Sequence, residues 1–170
     1  MFVVHATKKL LDRLRPAGLA SPPGGSTTML GNWYATALFW RPQVALLVNE
    51  ATLLPVLMPL APAATLLERF PAALAAVLVA HGVSDDIIAA ETAEMDRYEL
   101  AKTANRSVVG VMNEFAYLGH AFRNGAGDVD MLGLAVRLAA TPCGPLYKRH
   151  VSPDRELAAW IRHVTDDTGT

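Results

Sequence analysis

The pattern of hydrophobic positions changes along the chain, from short dense runs in the first 60 residues to helical spacing afterwards. The dense runs are typical of β-strands, and turn formers such as "RPQ" and "NEAT" separate them. They read "FVVHAT", "NWYATALFW", "VALLV" and "LLPVLMP". Because Pro55 cannot donate a ladder hydrogen bond, the last run predicts an edge strand. Together they predict a three-stranded antiparallel meander that the N-terminal strand joins.

Apolar residues at helical spacing predict six helices. Thr7 can cap the first, and "YELAKT" fits either a short strand or a loop. The predicted helices cover residues 8–15, 71–81, 85–95, 105–122, 129–140 and 154–164. Strands followed by helices favour an α+β fold, with a small, mainly antiparallel sheet of about four strands packed against several C-terminal helices. A length of 170 residues suits a single domain, 1–170.

Composition narrows the function classes. The chain is 52% hydrophobic with a net charge of -1, so no global field attracts nucleic acid or an anionic membrane. One cysteine, Cys143, excludes an internal disulfide and fits a reducing cytoplasm. The start lacks a signal-peptide pattern, and Pro or polar residues break the apolar stretches, so we expect no membrane span. The five histidines lack HxxxH or HxH spacing, so we expect neither a metal nor a cofactor.

The segment "KTANRSVVGVMNEFAYLGH" combines many hydrogen-bonding groups with an amphipathic helix. At about 100° per residue, Arg106, Gly110, Asn113 and Tyr117 share one stripe, and the apolar residues lie elsewhere. An arginine near a helix start opposes the helix dipole unless it binds an anion. That anion is either a carboxylate of this protein or a ligand phosphate. In the architectural alternative, Asn105 is only an N-cap, Gly110 a close contact and Arg106 an ion-pair partner.

Two further titratable residues are candidates for proton transfer. Glu91 falls among apolar positions of its helix, so its carboxylate needs a partner, for which Arg106 or Lys102 is the obvious choice. A raised pKa would suit Glu91 as a general base, whereas a position at the stripe's edge would leave it solvated. His5 precedes Lys8 in sequence, an arrangement that resembles the acid/base and cation of phosphodiester chemistry. It equally fits a strand histidine beside solvated lysines.

Turn-forming polar residues complete the candidate set. Asn32 and Trp33 begin a strand, and Asn49 and Thr52 lie in a turn, where such residues are common. Trp33 can alternatively stack on a base.

Three segments, "LGNWYATALF", "ALLVNEATLLPVLMP" and "KTANRSVVGVMNEFA", together resemble the bacterial DUF6933 family over residues 1–120. The last block is the most specific, although Val109, Val111 and Glu114 stand where Leu, Ser and Asp are usual. The resemblance brings no established activity and leaves residues 125–170 as a helical extension to a 1–124 core. It implies that certain polar residues belong to a shared pattern. These are Thr7, Lys8, Asn32, Trp33, Asn49, Thr52, Glu91, Lys102, Asn105, Arg106 and Asn113.

Two functions remain open at this point. In the first, the polar residues share one pocket that binds a phosphate-bearing ligand, a nucleotide or RNA. Lys102 and Arg106 hold the anion, Asn105 and Asn113 orient it, and Glu91 or His5 moves a proton. A metal-independent, nuclease-like toxin component would fit that description. In the second, the chain is a non-catalytic interaction module whose polar cluster is structural. Its apolar surplus, including Trp40, Leu57 and Met58, would then form a homodimer or a partner interface.

Overall fold

The computed structural model describes residues 1–123 and 129–169, which form a five-stranded sheet, six α-helices and two 3-10 turns. In chain order the elements are β1 Phe2–Ala6, α1 Lys8–Leu14, β2 Trp33–Leu38, β3 Val44–Asn49, β4 Pro55–Pro59, a 3-10 turn Ala63–Thr65, α2 Leu66–Ala80, α3 Asp85–Ala93, β5 Tyr98–Lys102, α4 Arg106–Phe122, α5 Met131–Ala139, a 3-10 turn Gly144–Leu146 and α6 Pro153–Thr168. The α+β class is confirmed.

The sheet is mixed, with the strand order β4-β3-β2-β1-β5. β1 is parallel to both β2 and β5, whereas β2, β3 and β4 form the antiparallel meander. The predicted meander and the edge position of β4 are therefore confirmed. The prediction of about four strands in a mainly antiparallel sheet is corrected to five strands in a mixed sheet.

The connections explain the parallel half of the sheet. The chain passes from β1 through α1 and a loop to β2, and such a crossover joins parallel strands. The segment "YELAKT" forms β5, which pairs along its whole length with β1 and is parallel to it. Its mixture of charged and apolar residues is typical of an edge strand, so its hydrophobic pattern alone left strand and loop equally possible.

Helices cover both faces of the sheet. Neighbouring residues of a strand point to opposite faces, so Trp33 and Tyr34 mark the two sides of β2. Phe70 of α2 packs against Phe2 and Trp33, with ring centroids 5.7 and 5.0 Å apart, while α4 begins at the side chain of Tyr34. The predicted core residues of α4 are buried: Val108, Val111, Met112 and Phe115.

The first long helix begins earlier than predicted. α2 starts at Leu66, so Pro71 lies inside the helix rather than at its start. Together with the preceding turn, residues 63–80 form one helical segment that is long and apolar enough to cross a membrane, judged by length and composition alone. This differs from the expectation that no apolar stretch reaches that length. In the structure Leu66, Phe70 and Leu74 of this segment are buried against the rest of the fold.

Most large apolar side chains fill the interior, whereas Phe39, Val79 and Tyr147 are exposed. Trp40, Leu57 and Met58, which the interaction hypothesis placed in an interface, are buried, so the prediction that these three form a docking surface is wrong. α5 packs against β4, an edge strand of the sheet. Leu138 and Leu157 belong to the same core cluster as Phe2, so the helices after residue 128 share the core of the strands.

Candidate functional site

The carboxyl ends of β1 and β5 lie side by side, because the two strands are parallel and in register. Ala6 pairs with Lys102, and His5 pairs with both Ala101 and Tyr34 of β2. α1 and α4 each begin just beyond this end of the sheet. Ligands commonly bind in a crevice outside the carboxyl ends of parallel strands.

A cleft of about 560 Å³ opens at this position. It is lined by His5, by Leu19, Ala20, Ser21 and Pro23 of the loop before β2, and by residues 101–104 at the end of β5. We call it the carboxyl-end cleft. Its walls come from three separate segments that the sheet brings together.

His5 is held in one orientation in this cleft. It is only 8% exposed, and its ring stacks on that of Tyr34 with centroids 4.7 Å apart. Its Nδ1 lies 2.8 Å from the carbonyl oxygen of Lys102. Because a carbonyl oxygen only accepts, Nδ1 must donate, and in the neutral ring Nε2 is then the nitrogen that can take up a proton.

Tyr34 links His5 to the start of α4. Its hydroxyl accepts a hydrogen bond of 2.9 Å from the backbone N–H of Asn105. The side chain of Asn105 caps α4 by accepting from the N–H groups of Ser107 and Val108, at 3.0 and 3.4 Å. Asn105 thus has the N-cap role that the sequence allowed, and this role fixes where α4 begins.

The stripe predicted on α4 faces solvent. Arg106 and Asn113 are exposed, and Tyr117 is 76% exposed. A Cβ added at Gly110 would meet no atom of another element within 4 Å, so the alternative of a close helix–sheet contact at Gly110 is wrong. Within residues 1–123 and 129–169, neither Lys102 nor Arg106 has a side-chain hydrogen bond or an ion pair. Lys102, which lines the carboxyl-end cleft, and Arg106, which lies two residues beyond its last lining residue, are therefore both without an ion-pair partner in these residues.

Glu91 lies at the other end of the sheet. It is 1% exposed, and its carboxylate accepts from the backbone N–H groups of Met29 and Leu30, at 2.9 and 3.3 Å. The predicted ion pair with Arg106 or Lys102 is therefore wrong. α3 precedes β5 and α4 follows it, so a strand of roughly 13 Å separates the ends near Glu91 and Arg106. Burial raises the pKa of Glu91 above 4.5, and the two N–H donors oppose this rise.

Asn49 forms the largest number of hydrogen bonds among the polar side chains near Glu91. It is fully buried, and its amide nitrogen donates to the carbonyl oxygens of Leu30 and Asn32, at 2.8 and 3.3 Å. Its Oδ1 accepts from the N–H groups of Ala51 and Thr52 and from the hydroxyl of Thr52. Buried polar groups satisfied in this way stabilise a fold and leave few groups for a ligand.

Asn32 joins the same arrangement. Its Oδ1 accepts from the hydroxyl of Ser26 at 2.6 Å, and Ser26 accepts from the backbone N–H of Val3 at 3.0 Å. We call Ser26, Asn32, Asn49, Thr52 and Glu91 the amino-end network, after its position near the amino ends of β1 and β2. It ties the long loop before β2 to the sheet.

Three other sequence candidates lie outside the carboxyl-end cleft. Trp33 is fully buried against Phe70, so it cannot stack on a base, contrary to that prediction. Lys8 is exposed, forms an ion pair of 3.0 Å with Asp12, and lines a separate depression beside α1. Thr7 occupies the N-cap position of α1 without capping it, because its hydroxyl bonds that of Thr36 at 2.8 Å.

Sequence reasoning missed Tyr34, Thr36 and Ser26. Along β2, Tyr34 and Thr36 alternate with Trp33 and Ala35. This period of two places Tyr34 and Thr36 on the same face of the sheet as His5, and it is the signal that could have identified them. Ser26 lies in a segment rich in Pro, Gly and Ser, and its composition indicates only a loop.

The described part of the chain contains possible metal ligands and a single cysteine. No three His, Cys, Asp or Glu side chains within it are grouped to hold a metal ion. Cys143 is buried, and burial raises the pKa of its thiol to about 12, which keeps it protonated.

The fold and the site thus define an α+β domain whose mixed sheet holds a cleft at the carboxyl ends of two parallel strands. The sequence model of a domain of unknown function, DUF6933, matches residues 3–156, and the chain belongs to this family. The match extends beyond the motifs near residue 120 and includes α5 and the start of α6. No curated protein matches the chain, and neither does any solved structure.

Proposed function

We propose that the chain binds a phosphate-bearing anion, a nucleotide or a short stretch of RNA, in the carboxyl-end cleft. The observation that carries the proposal is the pair of exposed cations, Lys102 and Arg106, which have no partner in the described part of the chain and stand beside this cleft. Arginine at a helix start is unfavourable without an anion, and a phosphate supplies one. The N-terminus of α4 itself favours negative charge.

Lys102 and His5, which line the cleft, and Arg106 and Asn113 on the neighbouring helix α4 each have a defined part in this proposal. Arg106 offers two parallel N–H donors to phosphate oxygens, and Lys102 adds a point charge. His5 presents Nε2 as a hydrogen-bond acceptor or, when protonated, as a third cationic donor. Exposed Asn113, two turns along α4, can orient the remainder of the ligand.

The proposal stops at binding rather than catalysis. Cleavage of a phosphodiester by acid–base catalysis normally uses two groups, one to take a proton and one to give it. His5 is the histidine that lines the carboxyl-end cleft, whereas Glu91 is committed to the amides of Met29 and Leu30. A nuclease-like toxin would require a second acid/base group from its ligand or from a partner.

A thermal-shift screen tests the proposal. The probes are inorganic phosphate, nucleoside mono- and triphosphates and a single-stranded RNA of about eight nucleotides. At least one should raise the melting temperature of the wild-type chain, because a ligand that binds only the folded state stabilises it. Arg106→Ala should lower the affinity for that ligand by about tenfold or more, since a hydrogen bond to a charged group contributes about 1.5–3 kcal/mol.

Arg97→Ala is the matched control. Arg97 is also exposed but precedes β5, at the end of the sheet away from the carboxyl-end cleft. Both variants should unfold within about 0.5 kcal/mol of wild type, because they change exposed side chains. If Arg106→Ala binds every probe as tightly as Arg97→Ala does, the ligand does not use this cleft and the proposal is wrong.

A further inference from the structure

A second depression, of about 360 Å³, lies at the start of α6 and is lined by Arg149, His150, Val151, Arg155, Ala158 and Arg162. We call it the α6 cleft. Its lining holds three arginines and a histidine with no acidic residue, in a chain whose net charge is -1. The lining of the α6 cleft is therefore a local concentration of positive charge.

A buried carboxylate fixes one wall of the α6 cleft. Glu156 is 2% exposed and accepts hydrogen bonds from Nη2 of Arg149 and, at 2.7 Å, from Nδ1 of His150. The side chains of Arg149 and His150 remain about half exposed, so each also faces the solvent. Glu156 therefore neutralises one cation of the cleft, and within the described residues it forms no ion pair with Arg155 or Arg162.

Arg155 and Arg162 stand on the same side of α6. Seven residues make about two helical turns, so their side chains lie one above the other, about 10 Å apart along the helix axis. Ala158 lies between them, and its short side chain leaves the space that forms the cleft. In the part of the chain that the structure describes, neither guanidinium has a hydrogen bond or an ion pair.

The turn that presents Arg149 and His150 is strained. Val151 has φ = 73°, a left-handed conformation that is unfavourable for a β-branched residue. Two backbone hydrogen bonds of 2.9 Å hold it, from the N–H of Cys143 to the carbonyl of Val151 and from the N–H of Val151 to the carbonyl of Leu146. Such strain often accompanies a binding site, because the surrounding structure fixes side chains in place before the ligand arrives.

We propose that the α6 cleft binds the phosphate group of an anionic ligand, with Arg155 and Arg162 as the principal contacts and Arg149 as a third. This site is separate from the carboxyl-end cleft. The indole N–H of Trp160 donates to the carbonyl of Met29, the residue whose N–H binds Glu91, so α6 packs beside the amino-end network. A terminal phosphate of a small metabolite and a phosphodiester of RNA present the same oxygen chemistry to these guanidinium groups.

Amide chemical shifts measured by NMR on the isotopically labelled full chain test the inference. Two probes are titrated separately, inorganic pyrophosphate and a single-stranded RNA of about ten nucleotides. Binding should shift the amides of residues 149–158 and weaken as salt is added. The double variant Arg155→Gln/Arg162→Gln keeps most of each side-chain stem and should weaken binding by about tenfold or more.

Two controls separate this site from the one proposed above. The double variant Arg155→Lys/Arg162→Lys keeps both charges without the planar donors and should bind with intermediate affinity. Arg106→Ala should leave the shifts at residues 149–158 unchanged, whether or not the carboxyl-end cleft binds a ligand. If the double Gln variant fails to fold by circular dichroism, Arg162→Gln alone is measured instead, with the same direction expected.

The two probes also identify the source of the phosphate. Response to pyrophosphate alone supports a small phosphorylated ligand, and response to RNA alone or to both probes supports phosphate binding in which the nucleic-acid backbone can take part. Absence of shifts at residues 149–158 with either probe overturns the inference. Equal affinity of the wild-type chain and the double Gln variant overturns it as well.

Discussion

The amino-end network and the carboxyl-end cleft contain similar side chains, amides, hydroxyls and ionisable groups, but differ in how completely these groups are paired. Asn49 and Glu91 are buried, and their side-chain oxygens and nitrogens bind backbone groups of the same chain. Lys102 and Arg106 are exposed, and in the described residues they lack partners. Polar groups that a fold has already satisfied stabilise it, whereas unpaired cations beside a cleft favour a ligand.

This difference in pairing also shows that one sequence pattern can contain both structural residues and ligand-site candidates. The family resemblance grouped residues from both regions into one polar set, and the sequence suggested one shared pocket. The structure divides that set, because the amino-end network anchors the loop before β2 and the carboxyl-end cleft lies beyond the other end of β5. Three substitutions test this division, in order of decreasing effect.

The largest effect is expected from Asn49→Ala. The substitution removes both acceptor and donor functions of a fully buried amide and leaves the carbonyl of Leu30 and the N–H of Thr52 unpaired. We expect the free energy of unfolding to fall by about 2–6 kcal/mol, because each of two buried groups left unpaired costs about 1–3 kcal/mol. Urea denaturation measures it.

Asn113→Ala is the matched control for Asn49→Ala. It makes the same chemical change on the exposed face of α4, where the side chain has no hydrogen bond to the described residues. Its cost should stay within about 0.5 kcal/mol. Similar losses for the two alanine variants would contradict the division between a structural region and a ligand region.

The next effect is expected from Tyr34→Phe, at the carboxyl-end cleft. The ring and its stacking on His5 remain, but the N–H of Asn105 loses its acceptor. We expect a loss of about 1 kcal/mol in the free energy of unfolding, the usual value for one hydrogen bond. Faster hydrogen exchange of the Asn105 amide should accompany it, because the start of α4 is then held less firmly.

Tyr117→Phe is the control for this substitution, since Tyr117 lies on the exposed face of α4 and is 76% exposed. It should leave both measurements unchanged. An unaltered exchange rate at Asn105 in Tyr34→Phe would mean that the tyrosine hydroxyl does not position α4.

The hydrophobic pattern predicted the elements better than the site, for physical reasons. The helix α4 has one buried and one exposed face, so helical spacing identified both faces correctly. β2 is buried on both faces, so the alternation between buried and exposed residues that would distinguish Trp33 from Tyr34 is absent. Trp33 therefore appeared as a candidate for stacking, whereas Tyr34, which contacts both His5 and Asn105, was missed.

The partner of Glu91 could not be derived from sequence for a different reason. The helical pattern placed Glu91 among apolar residues but left a solvated position at the edge of the stripe possible, and the structure buries it. Its partners are backbone N–H groups of Met29 and Leu30, and every residue except proline carries such a group. Because side-chain identity does not reveal a backbone partner, a cation was the natural but incorrect choice.

The smallest effect expected is a pH dependence of stability that comes from Glu91. Burial raises the pKa of this carboxyl group in the folded state above its ordinary value of 4.5. As pH rises past 4.5, the unfolded chain therefore loses this proton before the folded chain does, and the free energy of unfolding falls. The contribution of Glu91 is fully present below the unfolded pKa and is lost as pH rises through the folded pKa.

Glu91→Gln isolates this contribution, because glutamine does not titrate. The free energy of unfolding of the wild-type chain minus that of Glu91→Gln should decrease from pH 4.5 upward, by less than the loss expected for Tyr34→Phe. Urea denaturation at closely spaced pH values measures the difference. The contributions of the other carboxylates cancel, because both chains contain them. A difference that instead grows with pH would mean that the N–H groups of Met29 and Leu30 stabilise the carboxylate by more than burial costs. The amino-end network would then be an anion site already occupied by the protein's own side chain, and it would differ from the carboxyl-end cleft only in the source of the anion.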